Sequence, residues 1–252
     1  KSRGGGEPYF VIIENDNTVW VYDTSDLLAS GADGMQKRKA EVSMQAADCY
    51  SYGMDCKYLV CGSFGNASGQ EMISFWDLSR GKRLALHNDK VGHNCTGVEV
   101  RANLAVTASA VVDEHSTAFK IWDLEDVDAP LWEWSENQRY TSMALQSECL
   151  FVALPSGVHC YDVVSLEARL AIPAKRSTCI AAGGYALFTG HKAVTMLSKS
   201  SMTERGSVAV WNTTTQAKLA DIPHCPLAIL YNNSVLVVQT STGLLVRHMP
   251  PI

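Results

Sequence analysis

The segment AFKIWD, residues 118–123, decides the fold, because apolar residues alternate along it with a second set of side chains and the pattern then returns. Alternation with a period of two is typical of a β-strand. Five related segments occur elsewhere: TVWVYD (18–23), MISFWD (72–77), GVHCYD (157–162), SVAVWN (207–212) and the degenerate GLLVRH (243–248). The position held by Trp122 recurs every 36 to 54 residues, so the chain repeats one unit with insertions in its loops.

The sequence around each copy repeats as well. A strongly apolar segment and turn residues precede it, as in CLFVALP (149–155), which predicts a β-hairpin. A mixed strand lies further upstream, as TSMALQ (141–146), and an amphipathic strand follows downstream, as ARLAIP (168–173). Four short antiparallel strands in a unit of about 40 to 45 residues are typical of one blade of a β-propeller. We therefore predict an all-β fold, with AEVSM (40–44) as the fourth strand of the first unit.

From Leu86 to Leu124 the sequence resembles the WD-repeat β-propellers. Gly92-His93 is followed by three predicted strands, and the third of these ends in Trp122-Asp123. The resemblance implies a structural, hydrogen-bonded tetrad of a histidine, a serine or threonine, an aspartate and the tryptophan. A buried imidazole and a buried indole each need a partner, so such a network fixes a loop against a strand. The positions that match the tetrad are His93, Ser109, Asp113 and Trp122.

The resemblance covers most of the chain, but unevenly. The tetrad is expected only in the third copy, and Gly190-His191 is interpreted as a coincidence because it falls at the end of a second strand. The remaining blades are then held by apolar packing between sheets. The positions that match the blade signature are Tyr22, Asp23, Trp76, Asp77, Trp122, Asp123, Tyr161, Asp162, Trp211 and Asn212.

The domain organisation follows from the repeat. Residues 1–8 are interpreted as a linker or the end of an upstream region, and residues 9–252 as one WD-repeat-like β-propeller domain. About six blades are visible. We expect a longer parent chain to supply a seventh blade upstream, including the outer strand that closes the ring.

Composition limits the class of protein. The net charge of −5, without a dense basic run, argues against a broad nucleic-acid-binding surface. No apolar stretch reaches the about 18 to 20 residues of a membrane span. The eight cysteines are scattered and contain no CxxC pair, so we interpret them as reduced core thiols. These features indicate an intracellular protein, cytoplasmic or nuclear.

No catalytic motif stands out. The chain has no G-x-S-x-G, HExxH or GxxxxGK[ST] sequence, and its histidines are not at metal-ligand spacing. We expect no cofactor, no metal site and no enzymatic activity. A propeller enzyme of the glycosidase or lactonase type is a less favoured alternative, for which Asp48 and Glu99 are the only well-placed carboxylates.

Partner binding is expected on loops. In WD-repeat proteins partners commonly meet the face built from the loops that lead into each inner strand, here termed lead-in loops, and from the hairpin loops. The lead-in loops carry a cationic set suited to an acidic or phosphorylated peptide, although ordinary solvated side chains would show the same pattern. The candidate residues are Lys90, Arg139, Tyr140, Lys175 and Arg176.

Two further features have two interpretations each. Trp132 and Trp134 share one face of a fourth strand, where they either fill the gap between blades or form an apolar patch for a partner. The insertion from Lys192 to Arg205 is either a mobile, modifiable loop or a binding loop specific to its blade.

The resulting prediction is a non-catalytic protein-interaction platform, a scaffold subunit of a larger complex. The alternative is the substrate-recognition module of a ubiquitin ligase.

Overall fold

A computed structural model describes most of the chain from Tyr9 to Met249. The described residues are 9–13, 19–23, 49–55, 57–63, 70–91, 93–111, 115–146, 148–165, 167–198, 201–223, 226–232, 235–240 and 243–249. The predicted linker at residues 1–8, the predicted strand AEVSM, and Asp48 and Asp113 lie outside them.

The described residues form strands and no helix, as the alternating pattern predicts. The strands are β1 (Tyr9–Ile13), β2 (Val19–Asp23), β3 (Cys49–Met54), β4 (Tyr58–Ser63), β5 (Gln70–Asp77), β6 (Lys82–Val91), β7 (His93–Arg101), β8 (Leu104–Val111), β9 (Thr117–Asp123), β10 (Trp132–Glu136), β11 (Ser142–Gln146), β12 (Cys149–Leu154), β13 (Gly157–Asp162), β14 (Ala168–Ile172), β15 (Cys179–Gly183), β16 (Ala186–Ser198), β17 (Ser201–Asn212), β18 (Lys218–Ile222), β19 (Ala228–Asn232), β20 (Val235–Thr240) and β21 (Gly243–His248).

Each sheet is built from strands that are consecutive in the chain and antiparallel. Four sheets have four strands, namely β3–β6, β7–β10, β11–β14 and β15–β18, while β1–β2 and β19–β21 have two and three described strands. The predicted all-β fold with four short strands per repeat is confirmed. The chain divides into two compact units, residues 1–137 and 138–252.

The core of the first unit lies between the sheets β3–β6 and β7–β10. Phe75 and Trp122, one from each sheet, pack with their ring centroids 4.9 Å apart, and Ile73, Val98 and Ala105 are buried around them. The sheets approach so closely that a Cβ on Gly62 would lie 2.2 Å from the Cys95 sulfur. A larger residue at position 62 would therefore force the sheets apart.

The second unit contains two cores, one between each pair of neighbouring sheets. Phe151, Cys160 and Leu187 belong to the core shared by β11–β14 and β15–β18. Phe188 and Leu236 belong to the core shared by β15–β18 and β19–β21. Residues 187 and 188 point to opposite faces of β16, so one strand supplies both cores.

The insertion after His191 is not a loop. Its residues continue β16 and β17, which stay paired from Lys192 opposite Gly206 to Ser198 opposite Ser201. The interpretation as an irregular insertion is therefore wrong for its backbone. The β-branched residues Val194, Thr195 and Thr203 favour extended structure, which the Ser and Lys content of the segment obscures.

Candidate functional site

In the four sheets with four described strands, an aspartate or asparagine of the repeated signature caps the turn that follows the third strand. Asp162 Oδ1 accepts hydrogen bonds from the backbone N–H groups of Val164 at 2.7 Å and Ser165 at 2.9 Å. Asn212 Oδ1 does the same for residues 214 and 215, and Asp77 Oδ1 accepts from the N–H of residue 80 at 3.1 Å. Side-chain oxygens that bond the backbone two and three residues ahead stabilise turns. These signature residues therefore serve the fold.

The indole of Trp122 is held by a hydroxyl on the neighbouring strand. Trp122 lies opposite Ala105, and its Nε1 donates at 3.0 Å to Oγ1 of Thr107, two residues further along the same face of β8. Ser109, the predicted tetrad position, lies two residues further along β8, opposite Ala118. Among the described residues His93 Nδ1 has no hydrogen-bond partner, although it is buried.

The sheet β15–β18 contains a second bond of this kind, which the sequence analysis missed. Trp211 Nε1 donates at 2.9 Å to Thr189 Oγ1, and His191 Nε2 lies 3.3 Å from the same oxygen. The His191 ring also bonds the backbone carbonyl of Lys175. Gly190-His191 lies in β16, the second strand of its sheet, and not before the first strand, as predicted. The signal available in the sequence was Thr189, placed relative to Trp211 as Thr107 is to Trp122.

The residue that takes the place of Thr107 in the sheet β3–β6 explains why the Trp76 indole has no such hydrogen bond. Trp76 lies opposite Leu59, so the residue two steps further along β4 is Cys61, which carries no hydroxyl. Trp76 is buried, and its Nε1 finds no hydrogen-bond acceptor among the described residues. A buried indole N–H without an acceptor lowers stability.

Two lead-in loops of the second unit are joined by hydrogen bonds. The Thr141 hydroxyl donates to the carbonyl of Ser177 at 2.5 Å, and the N–H of Ile180 donates to the Ser142 hydroxyl at 3.1 Å. The joined loops carry Arg139 on one side and Lys175 and Arg176 on the other, all three exposed. Tyr140 is half-buried beside Arg139. The structure thus places three of the predicted cations at one end of one unit, a group here termed the cationic loop pair.

Lys90 belongs elsewhere. It lies within β6 in the first unit, one residue before the strand ends, and not in a loop as predicted. The pairing of Gln70 with Val91 extends the strand through this position. The loop prediction failed because the fourth strand was expected to end at Asn88, whereas the ladder with β5 continues to Val91.

The two tryptophans of β10 have different environments. Trp134 stacks on Phe119 with ring centroids 5.0 Å apart and an interplanar angle of 17°, so it packs within its own sheet. Trp132 is 45% exposed and follows the exposed Leu131. Only Trp132 has the exposure that a partner-binding residue requires.

The described residues also bear on metal binding and on membrane-spanning helices. No group of three or more histidine, cysteine, aspartate or glutamate side chains is arranged there to hold a metal ion. The same residues include no helix with the length and apolarity that crossing a bilayer requires.

Comparison with known proteins places the fold. No protein-family model matches the chain, and no curated protein is significantly similar to it. Among solved structures, the WD40 domain of Neurospora crassa Pan2 superimposes with a TM-score of 0.61 over 94% of this chain and 73% of that chain, at 9% identity. The chain has the fold of a WD40 β-propeller. Kluyveromyces lactis Hsv2 is also similar, at 10% identity over 81% of this chain and 75% of its own, with a lower TM-score of 0.46.

The sheets, capped turns and indole hydrogen bonds described above can be located within the propeller fold. The six sheets correspond to the six predicted blades, and the capped turns and indole bonds lie inside them. The lead-in loops of the second unit lie at the same end as His191, whose ring bonds the Lys175 carbonyl. This end is the candidate functional site of the unit.

The indole bond of the third blade yields a prediction of stability. Thr107→Val keeps the shape of the side chain but leaves the Trp122 N–H without an acceptor, which should lower the free energy of unfolding by about 1–3 kcal/mol. Thr107→Ser keeps the hydroxyl and serves as the control. Urea unfolding monitored by tryptophan fluorescence measures both, and equal losses for Val and Ser would exclude a role for the hydrogen bond.

Adding a hydroxyl group near the Trp76 indole tests the same hydrogen-bond geometry in the sheet β3–β6. Cys61→Thr should place a hydroxyl beside the Trp76 indole and raise the free energy of unfolding by about 1 kcal/mol, because a buried donor gains its acceptor. Cys61→Val is the matched control of the same shape. If Thr and Val give the same stability, the indole does not use this position.

His191 makes stability depend on pH. Burial lowers its pKa, the Lys218 ammonium lowers it further, and Asp221 and the Lys175 carbonyl oppose the shift. The native state therefore favours neutral imidazole, so its contribution is complete above the unfolded-state pKa of about 6.5 and is lost as the pH falls below it. The free energy of unfolding, measured from pH 8 to pH 5, should fall less steeply in His191→Gln than in the wild type. Parallel curves would contradict this assignment.

Proposed function

We propose that this chain is a non-catalytic protein-interaction platform, a scaffold subunit that acts in the cytoplasm or nucleus and binds an acidic or phosphorylated peptide at the cationic loop pair. The observation that carries the proposal is the hydrogen-bonded pairing of two lead-in loops, which presents Arg139, Lys175 and Arg176 to solvent together. A cationic group on a chain of net charge −5 is a local feature.

The chemistry of the loop pair suits an anionic group. A guanidinium offers several N–H donors in a planar fork, which matches the oxygens of a carboxylate or a phosphate. Arg176 has a backbone φ of 57°, an uncommon value for a residue other than glycine. Its neighbour Ser177 is buried and donates its hydroxyl to the Ala174 carbonyl at 2.8 Å. The backbone beneath the two exposed cations is therefore held in place before any partner binds.

The signature residues support a binding role over a catalytic one. Asp77, Asp162 and Asn212 already accept hydrogen bonds from their own turns, and the Trp122 and Trp211 indoles are bonded within their blades. Groups committed to structural hydrogen bonds are not available for acid–base work without loss of stability. The side chains of Arg139, Lys175 and Arg176, in contrast, are exposed to solvent.

Charge reversal tests the proposal. Affinity purification of the wild-type chain and of an Arg139→Glu, Arg176→Glu variant, with quantitative mass spectrometry, should show about a tenfold or larger loss of the specific partner from the variant. Arg247→Glu reverses one exposed charge on β21 and is the control. The interaction should also weaken as ionic strength rises, because exposed charges are screened.

Each outcome of this experiment is decisive. A stable assembly that the double variant loses and the control retains supports the platform. Capture of ubiquitin-ligase subunits would reassign the chain to substrate recognition. Full retention of every partner by the double variant would exclude the cationic loop pair as a binding surface.

A further inference from the structure

The second unit contains a cavity of about 530 Å³ between the sheets β11–β14 and β15–β18. It opens at the turns that follow the first and third strands, which is the opposite end of these sheets from the cationic loop pair. Its walls include the thiols of Cys149 and Cys160, the guanidinium of Arg169, and the side chains of Phe151, Leu170 and Tyr185. The volume is within the range of small-molecule pockets, about 300–1,000 Å³.

The cavity exists because two thiols stand where the first unit has aromatic rings. Cys149 pairs with Asp162 as Tyr58 pairs with Asp77, and Cys160 precedes the signature aromatic residue as Phe75 does. Tyr58 and Phe75 fill the core between their sheets, where the corresponding cavity measures only about 220 Å³. The replacement of two large rings by two thiols therefore creates space.

A β-bulge aims Arg169 into this space. Cys160 pairs with Leu170 and Tyr161 pairs with Ala168, so Arg169 is the extra residue of the bulge. The same bulge in the first unit carries Leu84, whose side chain packs on the apolar core. Bulges redirect side chains, and here the redirected residue is a cation instead of a leucine.

Two donors converge on the sulfur of Cys149. Arg169 Nη1 lies 3.2 Å from Cys149 Sγ, while its Nη2 bonds Asp162 and lies 3.8 Å from a Glu148 oxygen, which orients the guanidinium. Burial raises the pKa of Cys160 to about 12, and its hydrogen bond with Cys149 adds to the increase. Cys160 thus keeps its proton and donates it towards Cys149, which is the less buried of the two thiols.

We propose that Cys149 is a covalent modification site that captures small apolar α,β-unsaturated carbonyl compounds in this cavity. The thiolate is the reactive form of cysteine, and the Arg169 guanidinium places a charged hydrogen-bond donor 3.2 Å from this sulfur. Phe151, Leu170 and the exposed Tyr185 provide apolar surface for the body of the electrophile. The inference concerns the opposite end of the unit from the proposed peptide site and does not depend on it.

The reaction needs no further reactant. The Cys149 sulfur lone pair forms a bond to the β-carbon, and the π electrons of the carbon–carbon double bond move to the carbonyl as an enolate. The α-carbon then takes a proton from water, and the thiol proton has gone to solvent. The net change is addition of one thiol to one alkene, with no oxidation.

The test compares two electrophiles on the whole 252-residue chain. trans-2-Nonenal carries an apolar body that the cavity should hold, whereas iodoacetamide alkylates an accessible thiol without needing the cavity. Peptide mass mapping at pH 7.4 gives a rate for each cysteine. We expect nonenal to modify Cys149 first, and Arg169→Met to slow the modification of Cys149 by both reagents about tenfold, since one charge-assisted donor is lost.

A second variant separates the cavity from simple exposure. Thr214→Trp narrows the mouth of the cavity and should abolish the preference for nonenal, because it slows the larger nonenal far more than the smaller iodoacetamide. Thr215→Trp adds the same ring to the adjacent exposed residue, which does not line the cavity, and should react like the wild type. Equal rates in the wild type and Arg169→Met, or a nonenal preference that survives Thr214→Trp, would overturn the proposal.

Discussion

The burial of the second and third strands between neighbouring sheets is the constraint on which each unit depends. Every described residue of β4 is buried, and β12 is buried from Leu150 onwards. A sheet of four short strands cannot cover its own faces, so this burial requires a neighbouring sheet within about 10 Å. Small residues such as Gly62, which meets the Cys95 sulfur, permit that approach. Apolar packing between sheets therefore contributes the main stabilisation.

The same burial imposes a condition on polar atoms. An indole N–H inside such a sheet needs an acceptor, and Thr107 and Thr189 supply it from the adjacent strand. Trp76, opposite Leu59 and near Cys61, shows the cost of a small change in the repeat. The backbone turns are satisfied in a parallel way by the signature aspartates. The most recognisable residues of the repeat are thus occupied by the fold.

Within the second unit the variable residues lie at two ends. One end carries the cationic loop pair, held by the bond from Thr141 to Ser177. The other carries the thiol cavity, made by Cys149, Cys160 and the bulged Arg169. The corresponding positions in the first unit are filled by Tyr58, Phe75 and Leu84, so the second unit differs where the repeat allows variation. The proposed peptide contact and the proposed covalent modification lie at opposite ends of the unit, so neither requires the other.

The sequence by itself determined the strands, their antiparallel order and the repeat, because hairpin pairing joins residues close in the chain and the period of two is visible locally. It placed the capping aspartates for the same reason. The acceptor of the Trp122 indole and the strand position of Lys90 were not predicted, since the partner of a side chain depends on register and on how far a ladder continues. Only the tertiary structure decided that Thr141 meets Ser177, that His191 meets Lys175, and that two cysteines and an arginine share a cavity. The Thr141 contact joins two sheets and the cavity lies between two sheets, and the packing distance between sheets is set by the whole core and not by any one segment.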